Sequence, residues 1–232
     1  TQWTRMYLQA ERGVSVEPDA IEGALVSAPP GKEVKLAYPA SGVTKAGVAS
    51  GSSLATTHGN TGRSGVSFET APLAEDTEVT GPLMLKLWVS STSEDMDIFV
   101  TIRNIGPDGK DVCEVGQHGQ PVPCVTKGWL RASHRKLDPG RSLPYRPYHA
   151  HDERWWLKPG EPVECQVEIW PTSMVFRKGH KLRIDIQPRD GVGSAPYTHY
   201  HADYNAGAEN AVYAGGDKAS YLLLPIIPPK AE

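Results

Sequence analysis

In EPVECQVEIW (161–170) and again in KLRIDIQ (181–187), apolar residues fall on every second position. A strand turns successive side chains to opposite faces, so this spacing commits Val163, Cys165, Val167 and Ile169 to one face and Glu164, Gln166 and Glu168 to the other. In the second segment Leu182, Ile184 and Ile186 point inward, while Lys181, Arg183 and Asp185 are expected to face water. A sharp turn at Gly179 joins the two. LMLKLWVS repeats the pattern, with Leu83, Leu85, Leu87 and Val89 opposite Met84, Lys86 and Trp88. Ile98, Val100 and Ile102 alternate with Phe99, Thr101 and Arg103. The 23 glycines and 20 prolines punctuate these runs without forming a repeat, as expected for many strands and tight turns. PDGK (107–110) has turn chemistry between arms ending at Arg103 and starting near Asp111. A short strand is expected over residues 5–9, and YLLLPIIPP closes the chain, with Pro225 either capping that strand or marking a sheet edge. Helical periodicity is confined to short turns, as near Asp138. Layer packing then gives an all-β fold of two antiparallel sheets, a jelly-roll-like β-sandwich.

A chain of 232 residues suffices for a large core, and residues 1–232 read as a single domain. A long irregular loop, rich in glycine, serine, alanine and threonine, is expected over about residues 39–66. The net charge of −3 gives no pull toward nucleic acid or an anionic membrane. No run reaches transmembrane length and no secretory signal is evident. Cys113, Cys124 and Cys165 cannot all pair with one another. Reduced thiols and a cytoplasmic location are therefore expected, with a Cys113–Cys124 bridge left as the alternative for an exported protein. Cys165 lies in the inward register and reads as a small buried hydrophobe. The chain begins at Thr1 and reads as a fragment of a longer protein or a processed one.

The stretch GWLRASHR (128–135) sets Ser133 beside His134. Neighbours on an extended strand face opposite ways, and no GxSxG elbow occurs, so these two are not expected to form a nucleophile–base pair. Arg131 and Arg135 are expected to donate to neighbouring loops, with Trp129 and Leu130 packing on different sides. Glu94, Asp95 and Asp97 read as a solvated turn. His149 with His151, and His199 with His201 near Asp203, have the i, i+2 spacing that an extended metal site would use. Local hydrogen bonding is the favoured reading, so no metal and no cofactor is expected. Trp155, Trp156, Trp170, Tyr197, Tyr200 and Tyr204 could line a carbohydrate groove or anchor a domain interface.

Residues 68–102, 108–110, 127–138, 163–186 and 215–228 together resemble the C-terminal domain of the CocE/NonD hydrolases, the group that includes X-Pro dipeptidyl-peptidases and acyl esterases. The resemblance covers essentially the whole chain. It implies a galactose-binding-domain-like jelly roll that follows an α/β-hydrolase domain absent here. Within this chain it implies no catalytic residues, because the family's serine, aspartate and histidine belong to the preceding domain. The implied role is to stabilise that domain and help shape its substrate pocket. Gly51, Ser52, Ser53 and Leu54 match the family's contact loop, although their lead, GVTKAGVAS, departs from its usual pattern. The upstream domain is the implied partner, with a homo-oligomer as a further one. A carbohydrate-binding module and a metal-dependent enzyme using the His-rich loops are the competing readings.

Overall fold

The computed structural model describes residues 1–11, 21–40, 65–116, 119, 121–190 and 207–229. The strands among them are β1 (Gln2–Ala10), β2 (Gly23–Val26), β3 (Val34–Pro39), β4 (Val66–Glu69), β5 (Thr77–Ser91), β6 (Asp97–Ile105), β7 (Glu114–Val115), β8 (Pro121–Val122), β9 (Thr126–Arg131), β10 (Val163–Phe176), β11 (Lys181–Gln187), β12 (Glu209–Ala214) and β13 (Tyr221–Ile227). They pair in the order β10-β9-β6-β11-β4-β2-β1-β13-β5, and β5 pairs back to β10. That last pairing closes an all-β barrel, which removes the exposed edges an open sheet would leave. β12 and then β3 extend from the far end of β5. Every pairing is antiparallel except β2 with β4. The irregular loop expected near 39–66 lies, apart from its ends, outside the described residues.

The alternation decides what fills the barrel. Leu83, Leu85, Leu87 and Val89 of β5 meet Cys165, Val167 and Ile169 of β10, Ile98, Val100 and Ile102 of β6, and Leu182, Ile184 and Ile186 of β11 in one buried cluster. Gly179, at φ 82°, makes the turn between β10 and β11. These two strands do not pair with each other, because β10 joins β5 and β9 while β11 joins β4 and β6.

Three features depart from the sequence reading. Pro225 neither caps β13 nor marks an edge: it sits inside the strand, opposite Trp3 of β1, where the register toward β5 shifts between Leu223 and Ile226. The missing N–H therefore falls at a bulge. The register of β10 against the other edge of β5 slips between Ile169 and Thr172, and Gly81 of β5, at φ 132°, lies against Pro225. The long strand β5 thus meets irregular partners on both edges at one level. The turn at 107–110 forms, but its return arm is short, with an isolated bridge from Ile105 to Asp111.

The third departure is Asp185, expected in water and found buried. β11 is flanked on both edges, and its polar face is covered by an ionic cluster. Asp185 accepts from Arg103 Nη1 at 2.9 Å, from Arg183 Nε at 2.7 Å and from the Ser67 hydroxyl. Arg103 also donates to Asp111 from Nε at 2.7 Å. Burial opposes the charge on Arg103, yet the two carboxylates hold its pKa above the ordinary value. Period-two spacing separates apolar from polar faces but does not say which polar faces remain wet.

Candidate functional site

The GWLRASHR stretch begins on β9 and ends in a single 3-10 turn, Ala132–His134. Gly128 is placed where β9 crosses β10. A Cβ there would stand 2.3 Å from the Glu168 carbonyl oxygen and 3.0 Å from the Ile169 Cα. Both obstacles are backbone, so Gly128→Ala must push the strands apart. An expected loss of about 2 kcal/mol is measurable by urea unfolding, with Trp129→Ala as the milder control on the same strand. Trp129 faces out and Leu130 in, as their alternation requires.

Beyond Arg131 the chain folds around Asp95, which is 1% exposed. Asp95 Oδ1 accepts from the backbone N–H groups of Met96 and Ser133, both at 2.9 Å. Its Oδ2 accepts from Arg131 Nε at 2.8 Å and from the Ser133 hydroxyl at 2.7 Å. The expected solvated acidic turn is therefore corrected: Asp95 and Asp97 are buried, and only Glu94 is exposed. Arg131, 3.8 Å from Asp97 as well, supplies the positive charge that draws both inward.

Ser133 and His134 share that tight turn instead of an extended strand, but their side chains still part. The buried Ser133 hydroxyl is engaged by a carboxylate, whereas His134 Nδ1 contacts His151 Nδ1 at 2.9 Å on the surface. A nucleophilic serine needs a base placed to take its proton, and here the imidazole points elsewhere. Arg135 donates to the carbonyl oxygens of Ala132 and Trp155 and lies 5.5 Å from the Trp155 ring. Trp155 N–H in turn donates to the Ser133 carbonyl at 2.8 Å. These contacts bind the 150–157 segment to the turn.

The other chemical candidates resolve in the same way. His149 donates from Nε2 to the Gln166 carbonyl at 3.0 Å. His151 has φ 55°, which breaks the extended geometry assumed for an i, i+2 pair. Among the described residues no group of three or more His, Cys, Asp or Glu side chains is arranged to hold a metal. His199, His201 and Asp203, together with Tyr197, Tyr200 and Tyr204, lie outside the described residues, as do Gly51, Ser52, Ser53 and Leu54. The three cysteines are free thiols. Burial pushes the Cys165 thiol up to about 12 and the Cys124 thiol up to about 11, so neither is a thiolate nucleophile near neutral pH.

Burial also depresses the pKa of His149 below 6.5, outweighing its Gln166 hydrogen bond. The unfolded chain then takes up this proton first as the pH falls. The contribution is complete above about pH 6.5 and is lost as the pH drops from there through the folded value. His149→Gln, which retains a donor for the Gln166 carbonyl, is expected to flatten the fall of Tm between about pH 7 and pH 5, as read by calorimetry across that range.

Trp129 and Trp170 are exposed, with ring centroids 5.4 Å apart. A second aromatic group was absent from the sequence candidates. Trp3 stacks on Tyr145 at 4.4 Å, and Tyr7 meets Tyr221 edge-on at 5.5 Å. Its signal lay in QWTRMYLQA, where Trp3, Arg5 and Tyr7 alternate with inward-facing Met6 and Leu8.

A family model described as the X-Pro dipeptidyl-peptidase C-terminal non-catalytic domain matches residues 2–223. A Mycobacterium bovis protein named "Putative serine esterase Mb1866c" is 32% identical over 169 residues, which are 71% of this chain and 24% of that protein. Cocaine esterase from a Rhodococcus species is 24% identical over 173 residues, or 69% of this chain and 25% of the esterase. A crystal structure of a CocE/NonD family hydrolase from Staphylococcus aureus superposes with a TM-score of 0.74 at 27% identity, covering 98% of this chain and 36% of that one. The chain thus spans about a quarter of the length of these curated relatives.

Proposed function

The chain belongs to the family of X-Pro dipeptidyl-peptidase C-terminal non-catalytic domains, and from that premise we propose that it is the accessory domain of an α/β-hydrolase-type serine hydrolase, acting on X-Pro peptides or acyl esters. The relatives' greater length supports a catalytic domain elsewhere in the polypeptide. There a serine hydroxyl attacks the substrate carbonyl and a histidine takes its proton. An acyl-serine forms, the leaving group departs protonated, and water releases the acid. The barrel stabilises that domain and, through Gly51, Ser52, Ser53 and Leu54, helps to wall its substrate pocket. Residues 1–232 act as one jelly-roll, galactose-binding-like unit. Free thiols suit a cytoplasmic protein, and a homo-oligomer is compatible with this arrangement.

One observation carries the reading. The serine of the GWLRASHR stretch is buried and its hydroxyl donates a hydrogen bond to Asp95, with no imidazole among the described residues on its oxygen. Ser133→Ala in the full-length protein is therefore expected to lower stability by about 1–2 kcal/mol while leaving kcat/KM per folded molecule within about twofold of wild type. Ester-hydrolysis kinetics beside a thermal melt separate the two effects. A loss of kcat by about 100-fold or more with the fold intact would place catalysis on Ser133.

A further inference from the structure

On the outer face of β1, β13, β5 and β10 lies an open groove of about 910 Å³. Trp3, Arg5 and Tyr7 of β1 form one side, Tyr221 stands on β13, and Pro144 and Tyr145 rise from the loop after β9. Trp3 is 38% exposed although it stacks on Tyr145. The Arg5 guanidinium lies 5.0 Å from the Tyr221 ring centre. Among the described residues no carboxylate lines the groove. Nearby Lys86 is paired with Glu164 at 2.8 Å, and Arg5 is the cation among the described residues that line the groove. Aromatic rings beside an arginine in a concavity have the composition of an interface hot spot.

We propose that this groove seats an acidic segment of the catalytic domain of the same polypeptide. The inference rests on the function proposed above and assigns a surface to that contact. The matched family is a C-terminal domain and the relatives are about four times as long as the region they share. The remaining polypeptide would precede β1, and Gln2, Trp3 and Thr4 at the start of β1 are themselves groove wall. A domain tethered there is held at high effective concentration over the rings. Arg5, with no carboxylate among the described lining residues, selects for an acidic strip, and the rings offer apolar area whose burial favours docking.

The test uses the full-length protein. With a photoreactive benzoylphenylalanine in place of Tyr145, irradiation is expected to cross-link position 145 to a peptide preceding residue 1. Cross-links confined to residues 1–232, or joining two copies, would overturn the assignment. In parallel, Arg5→Glu is expected to raise hydroxyl-radical labelling of Trp3 by about threefold, and Arg5→Lys to leave it near wild type. Equal labelling in all three proteins would also overturn it. Failure of these outcomes with Ser133→Ala still fully active would remove the groove contact alone. An inactive, folded Ser133→Ala protein would remove the accessory role itself.

Discussion

Asp185→Ala is expected to destabilise the fold by about 3–5 kcal/mol, the largest effect of any single substitution considered. Asp185 is 3% exposed on the central strand β11 and is bonded to Arg103, Arg183 and Ser67. Removing it leaves two largely covered guanidinium groups side by side. Asp111 still neutralises Arg103, whereas among the described residues Arg183 is left with Glu69 at 3.9 Å and the neutral Ser67 hydroxyl at 3.3 Å. Breaking a buried pair costs more than the pair contributes, because the surviving charge stays out of water. The double variant Asp185→Ala/Arg183→Met should therefore recover part of the loss. Guanidinium unfolding followed by tryptophan fluorescence gives both values. A loss below about 1 kcal/mol would mean that water reaches these charges.

Asp95→Ala is the second. Its carboxylate satisfies the backbone N–H groups of Met96 and Ser133, the Ser133 hydroxyl and Arg131. Arg131 is a quarter exposed, so water compensates it in part, whereas the buried Ser133 groups have no such recourse. About 3 kcal/mol is expected, or roughly 6–12 °C in Tm for a chain of this length. Asp95→Asn keeps an acceptor for the Ser133 N–H and should lose less. The damage should extend along the chain, because Trp155 N–H bonds the Ser133 carbonyl and Leu157 N–H bonds the Glu94 carbonyl. Hydrogen exchange at Trp155 and Leu157 is expected to quicken in Asp95→Ala more than exchange in β5.

The same two residues show where sequence reasoning reaches its limit. Leu83 to Val89, Val163 to Ile169 and Leu182 to Ile186 were legible because a buried face imposes its period on the chain. Asp95 reads as water-facing because it lies in a serine-rich polar turn, and Asp185 because local alternation treats every polar face alike. The partners that bury them, Arg131 and Arg103, lie 36 and 82 residues away, and only the pairing of β6 with β9 and with β11 brings them near. Pro225 was read by the rule that proline avoids ladders, while the bulge that accommodates it depends on pairing with β5. The separation of Ser133 from His134 was anticipated for the wrong local reason. A tight turn and a buried carboxylate, instead of strand alternation, keep them apart. His149 and His151 depart from an extended pair at one dihedral, φ 55° at His151, which composition does not encode. Trp3, Arg5 and Tyr7 have a readable alternation, but the neighbours that border them, Tyr221 and Tyr145, are set by pairing with β13 and by a distant loop.

Labelling the full-length protein with a phosphonate that attaches covalently to activated serines, then mapping the modified peptide by mass spectrometry, tests the central claim most directly. The label is expected on a serine outside residues 1–232, with Ser133 unmodified. A stoichiometric adduct on Ser133, or on any other residue of this chain, would contradict the account.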